Sequence, residues 1–311
     1  MDYDCIELER RLSIGFNEYL SLGKRHEFAE QEKSLEEICR NDKSFRMYLR
    51  ETRDVIHWLS KSRDNSIIWY GDTRWPSFRP LRKHLPFMLF CTGSRPDPVR
   101  RAVAIIGTRH ASYAALQQAY RMGLEAAENG VAVVSGFAEG IDQAAMRGAV
   151  DGGGTCIGVL ACGHEVEYPA LTRDLRRRIL DCGGCILSRF APETVAYKSN
   201  FISRNMIIAS YADIVVAVQA PQLSGTLNTC DYAVQMGKDI FVGSQGVGDM
   251  FIQAGTTDLF NTGATMINTL SDAENYFAEM SRCVLEWDGR KDSGQTRRFG
   301  DMIYVVRDGI N

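Results

Sequence analysis

Between residues 102 and 243, short apolar runs alternate with longer stretches of helical period. The run Ala102–Ile106 leads into a helical pattern over Tyr113–Glu128. Val131–Val134 follows, then a helical pattern over Ile141–Val150. Thr155–Leu160 reads as a strand, Leu171–Leu180 as an arginine-rich helix and Cys185–Leu187 as a short strand. Arg204–Ser210 reads as a helix, Asp213–Val218 as a strand, Thr226–Met236 as a helix and Asp239–Val242 as a strand. Unbroken apolar runs bounded by turn residues suit strands covered on both faces, and the helices between them suit right-handed crossovers. The rhythm predicts an α/β fold, a mostly parallel sheet with helices on both faces. Phe190–Ser203 breaks the rhythm and reads as a long loop, a length that compact domains seldom carry without a functional use.

The flanks differ. Residues 1–63 are charged, with apolar positions at helical spacing, and predict helices near Ile6–Leu20, His26–Arg40 and Lys43–Ser60. Leu35, Ile38 and Cys39 form one apolar stripe, Phe45, Tyr48 and Leu49 another, continued by Val55, Ile56 and Leu59. This small helical module offers no convergent polar cluster, so packing or a dimer contact is its expected use. Residues 64–101 predict strands at Ser66–Tyr70 and Leu85–Cys91, separated by turn signals at Gly71-Asp72 and Trp75-Pro76. Arg74, Arg79, Arg82, Lys83 and His84 lie between them, either as a solvated face or as a surface for nucleic acid. The tail predicts a helix over Ser271–Met280, a polar flexible stretch over Gly289–Gly300 and a strand over Met302–Val306. The expected division is a helical module (1–63), a core (64–272) and a short tail (273–311).

Composition narrows the class. The chain has 311 residues, 45% hydrophobic and 24% charged, enough to bury a sizeable core. It contains no apolar run of membrane-spanning length, so no membrane association is expected. The acidic start lacks the apolar segment of a secretory signal. Nine cysteines, several within apolar runs, fit a reducing cytoplasm better than a disulfide framework. The formal net charge of −3 argues against diffuse affinity for nucleic acid, unless basic residues gather on one face.

Three turns carry the candidate chemistry. Gly107-Thr108-Arg109 follows the first strand of the alternating region, and Ser112 is placed to cap the next helix. A glycine after a strand, a helix N-terminus and a guanidinium together suit a phosphate. The equal alternative is that Arg109 covers the sheet edge. Ser135-Gly136, with Gly140 for a tight turn and Asp142 to orient a backbone N–H or an arginine, repeats the arrangement one strand later. Ser224-Gly225-Thr226 repeats it again, and Arg204-Asn205 opens the helix before that strand. Their joint occurrence at strand carboxyl ends predicts an anion-binding groove. Neither G-x-G-x-x-G nor a Walker A loop is present there.

Other polar clusters read as structure. Cys182-Gly-Gly-Cys185 lacks the second pair that zinc requires and precedes a strand rather than opening a helix. His164-Glu165-Val166-Glu167 reads as a solvated loop, since no H-E-x-x-H helix follows. No Ser/His/Asp set is legible, so neither an enzyme nor a metal or other cofactor is expected.

Taken in order, Gly107-Thr108-Arg109, Ser135–Asp142, Tyr168-Pro169, Arg204-Asn205 with Ile207-Ile208-Ala209, Ser224–Leu227 and Gly255–Ala264 resemble the DNA-processing protein A (DprA/Smf) family. Trp75-Pro76 and the strand through Phe90 resemble that family's approach to its core. The resemblance covers roughly residues 66–272. It implies an extended Rossmann-like fold, single-stranded DNA as ligand, a homodimer, and transfer of the DNA to a RecA-type recombinase in natural transformation. By position, Arg109 would hold a DNA phosphate, and the turns at Ser135-Gly136 and Ser224–Thr226 would shape the groove. The chain departs from the pattern at Glu139, where a Lys or Arg is usual, and at Met146, Arg189, Ile202 and Met206. An acid in the groove would favour a second reading, a Rossmann-like binding module for a nucleotide or nucleotide-derived signal. A third, a nucleotide phosphoribohydrolase, needs a Gly-Gly-x-Gly-Thr-x-x-Glu loop. The turn here, Ser224–Thr229 followed by Cys230, lacks the glutamate.

Overall fold

The computed structural model describes residues 5–17, 20, 22–30, 37–38, 40, 49–70, 72, 86–97 and 101–277, and the backbone of 296–299 and 302–305. Helices α1 (Cys5–Phe16), α2 (Leu22–Glu30) and α3 (Leu49–Lys61) precede strands β1 (Asn65–Trp69) and β2 (Met88–Gly93). Strands and helices then alternate: β3 (Ala102–Ile106), α4 (Tyr113–Glu128), β4 (Ala132–Ser135), α5 (Ile141–Asp151), β5 (Cys156–Val159), α6 (Arg173–Asp181) and β6 (Cys185–Ser188). The series continues with α7 (Lys198–Tyr211), β7 (Ile214–Ala217), α8 (Gly225–Gln235), β8 (Asp239–Gly243), α9 (Ala254–Asn261) and β9 (Thr265–Ile267).

These strands make one sheet in the order β1-β2-β6-β5-β4-β3-β7-β8-β9. The seven from β6 to β9 run parallel, and β2 and β1 add an antiparallel edge. The expected mostly parallel sheet with helices on both faces is what forms. β3 shows why. All five of its residues are buried, Val103 and Ile105 in one layer and Ala102, Ala104 and Ile106 in the other. A strand covered on both faces needs apolar side chains on both, which is the unbroken run seen in the sequence.

The chain leaves β3 through α4, α5 and α6, whose Ala119, Met122, Ala145, Met146, Leu175 and Ile179 share one layer. It returns through α7, and Met206–Ala209 of α7 join Cys230 and Ala233 of α8 in the opposite layer. The helices that follow β3 and β7 thus lie on opposite faces while the strands themselves are neighbours. A crevice at their carboxyl ends results from this reversal.

The amino-terminal helices cover the antiparallel edge. Leu8, Leu12, Val55 and Trp58 pack on Ile67, Met88 and Phe90, and Lys61 reaches Glu165 at 2.8 Å. Among the described residues no helix is long and apolar enough to cross a membrane.

Several expectations need correction. Phe190–Ser203 is not one loop, because α7 starts at Lys198 and runs through Arg204 without a break. Its first two turns contain Ser199, Asn200 and Ser203, weak helix formers that hide the period. Arg204 and Asn205 therefore lie inside the helix rather than opening it. Leu171 is outside α6, exposed and at φ 64°. The helix expected over Ser271–Met280 is replaced at its start by a 3-10 turn, Leu270–Ala273. In the tail, Met302–Val305 pairs antiparallel with Thr296–Phe299, which had read as a flexible stretch. The basic run Arg74–His84, Trp75-Pro76 and the stripe through Phe45 and Tyr48 lie outside the described residues.

Candidate functional site

The crevice between β3 and β7 is a groove of about 300 Å3. Eight of the twelve expected residues line it: Gly107, Thr108, Arg109, Arg204, Asn205, Ser224, Gly225 and Thr226. The other four, Ser112, Ser135, Gly136 and Gly140, build the frame behind the lining.

That frame is held by hydrogen bonds between loops. The Thr108 N–H donates to the carbonyl of Gln219 at 2.8 Å, and the Ser112 N–H donates to the Gln219 side chain at 2.8 Å. Ser112 caps α4 as expected, accepting from the Ala115 N–H. The Ser135 hydroxyl donates to the Ile105 carbonyl at 2.8 Å, tying β4 to β3 below the groove. Gly140 adopts φ 85°, and a Cβ there would lie 2.4 Å from the Thr108 carbonyl oxygen. Only glycine lets the second turn close against the first. On the far wall Ser224 caps α8, and the Asn205 amide donates to the Gly225 carbonyl at 3.0 Å, fixing the third turn against α7.

Gly136 has a different task. A Cβ at that position would lie 1.2 Å from Nη1 of Arg204. The guanidinium puts its Nη1 end where a side chain would begin, and Arg204 is buried with 5% of its surface exposed. Its Nη1 donates to the Val159 carbonyl at 3.4 Å, while Nε has no partner. Burial lowers the Arg204 pKa, Asp142 opposes that shift, and Arg109 adds to it by repulsion. Asp142 is buried as well. Burial raises its pKa, against the pull of Arg204 and of the Gly136 and Gly107 N–H groups.

Phe201, His110, Ala138, Ile208 and Thr229 also line the groove and escaped the sequence reading. The signal existed for two of them. Phe201, Arg204, Asn205 and Ile208 are spaced i, i+3, i+4, i+7, one stripe of a helix. Taking 190–203 as a loop cut the stripe at its first member. The Arg109 and Arg204 guanidinium carbons lie 5.4 and 5.8 Å from the Phe201 ring centre, so two like charges share one aromatic ring. Glu139 is exposed and is not among the lining residues, so the acid that opposed a phosphate site is outside the groove.

His164 is not in a solvated loop. Its ring lies 5.0 Å from that of Trp58, with Nε2 3.1 Å from the Phe90 carbonyl and Nδ1 3.0 Å from the Thr92 hydroxyl. Burial lowers its pKa to about 4. Among the described residues no group of His, Cys, Asp and Glu could hold a metal ion, Cys182 and Cys185 included.

The model of the family described as DNA recombination-mediator protein A matches residues 66–278, about two thirds of the chain. The chain belongs to this family. It is 35% identical over 191 residues to a putative DNA processing protein DprA of Mycobacterium tuberculosis, covering 61% of this chain and 49% of that protein. It is 31% identical over 187 residues to DNA processing protein DprA of Streptococcus pneumoniae, covering 60% of this chain and 65% of that one. The match thus spans about half to two thirds of these relatives. The X-ray structure of the Streptococcus pneumoniae protein superposes with a TM-score of 0.65 at 24% identity, over 88% of this chain and 98% of that one, and shares the fold. A structure concerning the single-stranded DNA binding mode of DNA processing protein A from Helicobacter pylori gives 0.58 at 25% identity, over 71% and 96%. With the family established, the groove lies wholly within the matched span.

Proposed function

We propose that this family member is a non-enzymatic single-stranded-DNA-binding protein, with the groove between β3 and β7 as the seat of a backbone phosphate. Arg204 carries the reading. A buried guanidinium whose one hydrogen bond within the protein is 3.4 Å long, lining a crevice at the strand carboxyl ends, suits a phosphate oxygen. Arg109 adds a second cation, and the capped start of α8 brings N–H groups and a positive dipole end to the opposite wall. The single-stranded DNA binding of the Helicobacter pylori relative supports the ligand. In this reading the protein acts as a homodimer that protects incoming DNA in the cytoplasm and passes it to a RecA-type recombinase during transformation. Glu139 lies outside the groove lining, which removes the feature that favoured a small nucleotide instead.

The test is a titration with a short thymidine oligonucleotide at several salt concentrations. Binding should weaken with salt at a log–log slope of about −0.7 for each phosphate neutralised. No binding at low salt would sink the reading.

A further inference from the structure

Asp142 and Arg204 are both buried in the groove wall, yet their hydrogen bonding is unequal. The Asp142 carboxylate accepts the Gly136 N–H at 3.0 Å and is also held by the Gly107 N–H. Arg204 uses Nη1 on a 3.4 Å contact and leaves Nε unpartnered. No ion pair within 4.0 Å joins the two side chains among the described residues. Gly136 meets both: its N–H donates to the carboxylate, and Nη1 of Arg204 takes the place where its Cβ would be. Asp142 therefore acts on Arg204 through its field and takes none of its hydrogen-bond donors.

The formally charged side chains lining the groove are Arg109, Arg204 and Asp142. Two cations and one anion leave a net charge of +1. An internal phosphodiester carries −1 and neutralises it. A terminal phosphate monoester carries about −1.5 to −2 at pH 7, so it leaves an excess negative charge beside a fixed carboxylate. Asp142 is buried, so that repulsion is screened less than one between exposed charges.

Building on the reading of the groove as a DNA-phosphate site, we propose that Asp142 is a specificity-determining residue: it admits an internal phosphodiester and turns away a terminal phosphate monoester, including that of a free mononucleotide. The carboxylate does not touch the chemistry of the ligand. It sets how much negative charge the groove accepts.

The experiment uses the full chain and a 3′-labelled thymidine oligonucleotide with either a 5′-hydroxyl or a 5′-phosphate. Thymidine 5′-monophosphate and the dinucleoside monophosphate TpT serve as competitors. For the unmodified protein, the 5′-phosphate should change the affinity by less than about twofold, and TpT should compete at lower concentration than the mononucleotide. In Asp142→Asn, which keeps an acceptor for the Gly136 N–H, preference should move toward the terminal phosphate by about tenfold, the scale of one weakly screened unit charge. A purely structural role would weaken all ligands together and leave their ratio unchanged. That result overturns the proposal while oligonucleotide binding by the unmodified protein keeps the groove reading standing. Tenfold tighter binding of the 5′-phosphorylated strand by the unmodified protein also overturns it, and needs no variant to fold. If the unmodified protein binds no oligonucleotide at any salt, the groove reading itself falls and takes the proposal with it.

Discussion

Helix α7 meets two desolvated cations, Lys238 at its carboxyl end and its own Arg204 at mid-helix, and the two are used in opposite ways. At its carboxyl end the Lys238 ammonium donates to the carbonyls of Ala209 and Ser210 at 2.7 and 2.8 Å, and also to that of Ala212. Those carbonyls have no partner further along the helix, so the ammonium completes the helix end and meets the negative end of its dipole. At mid-helix, Arg204 is more fully buried, but its Nε is idle. Burial of a positive charge is common to both. Whether its donors are used inside the protein is what separates a structural cation from one kept for a ligand.

Removing the structural cation should have the largest effect. Lys238→Met exposes three carbonyls to loss of their donor, at about 1–3 kcal/mol for each buried group left unsatisfied, partly recovered by water. We expect about 3 kcal/mol of lost stability in urea denaturation, with DNA affinity per folded molecule changed less than about twofold. If binding collapses while circular dichroism shows an intact fold, the division between the two cations is wrong.

His164 extends the comparison to a base whose ring nitrogens both have neighbours inside the fold. Its folded pKa, lowered to about 4, lies below the ordinary 6.5. Between those values the unfolded chain binds more protons, so stability is full above pH 6.5 and falls as the pH drops toward 4. The loss has an upper bound of about 3 kcal/mol. It should show as a slope in denaturation midpoints across that window. His164→Gln should flatten the slope, and an unchanged slope would move the titration to another group. DNA binding above pH 6.5 should be unaffected by the variant.

Arg204→Met tests the other cation. One charge-assisted contact to phosphate is worth about 1.5–3 kcal/mol, so the oligonucleotide Kd should rise about tenfold to a hundredfold. Some stability should be lost as well, because Asp142 loses the charge that offsets its burial, while the internal hydrogen bond lost is a long one. A large stability loss with unchanged binding would reverse the roles assigned to Arg204 and Lys238.

The sequence showed one of these two cations and hid the other. Arg204 stood out because it belonged to an ordered set of turns at strand ends. Lys238 stands in no motif, and nothing local marks a side chain that reaches three carbonyls of a distant helix end. The same limit explains the errors in the fold. β3 and α4 were legible to the residue, because a strand buried on both faces and a helix capped by Ser112 leave signals in their own residues. The start of α7 was not, because Phe201 is placed by tertiary contacts, with the Tyr168 ring 5.6 Å away. His164 was misread for a similar reason. Its neighbours Trp58, Phe90 and Thr92 come from the amino-terminal helices and the antiparallel edge, remote in sequence.

Arg109 gives the smallest effect and the finest test of the groove. It is exposed and lines the same crevice as Arg204, with its guanidinium carbon 5.4 Å from the Phe201 ring centre. An exposed charge is screened and worth about 1 kcal/mol or less, so Arg109→Ala should weaken binding only about fivefold at low salt. Its signature is in the salt dependence. Losing one phosphate contact should reduce the magnitude of the log–log slope by about 0.7. An unchanged slope would leave Arg109 as a cover for the sheet edge and place the phosphate with Arg204 and the turn at Ser224–Thr226. A reduced slope with Arg109→Ala, and a larger loss of affinity with Arg204→Met, would set the exposed and buried arginines as successive contacts along one strand of DNA.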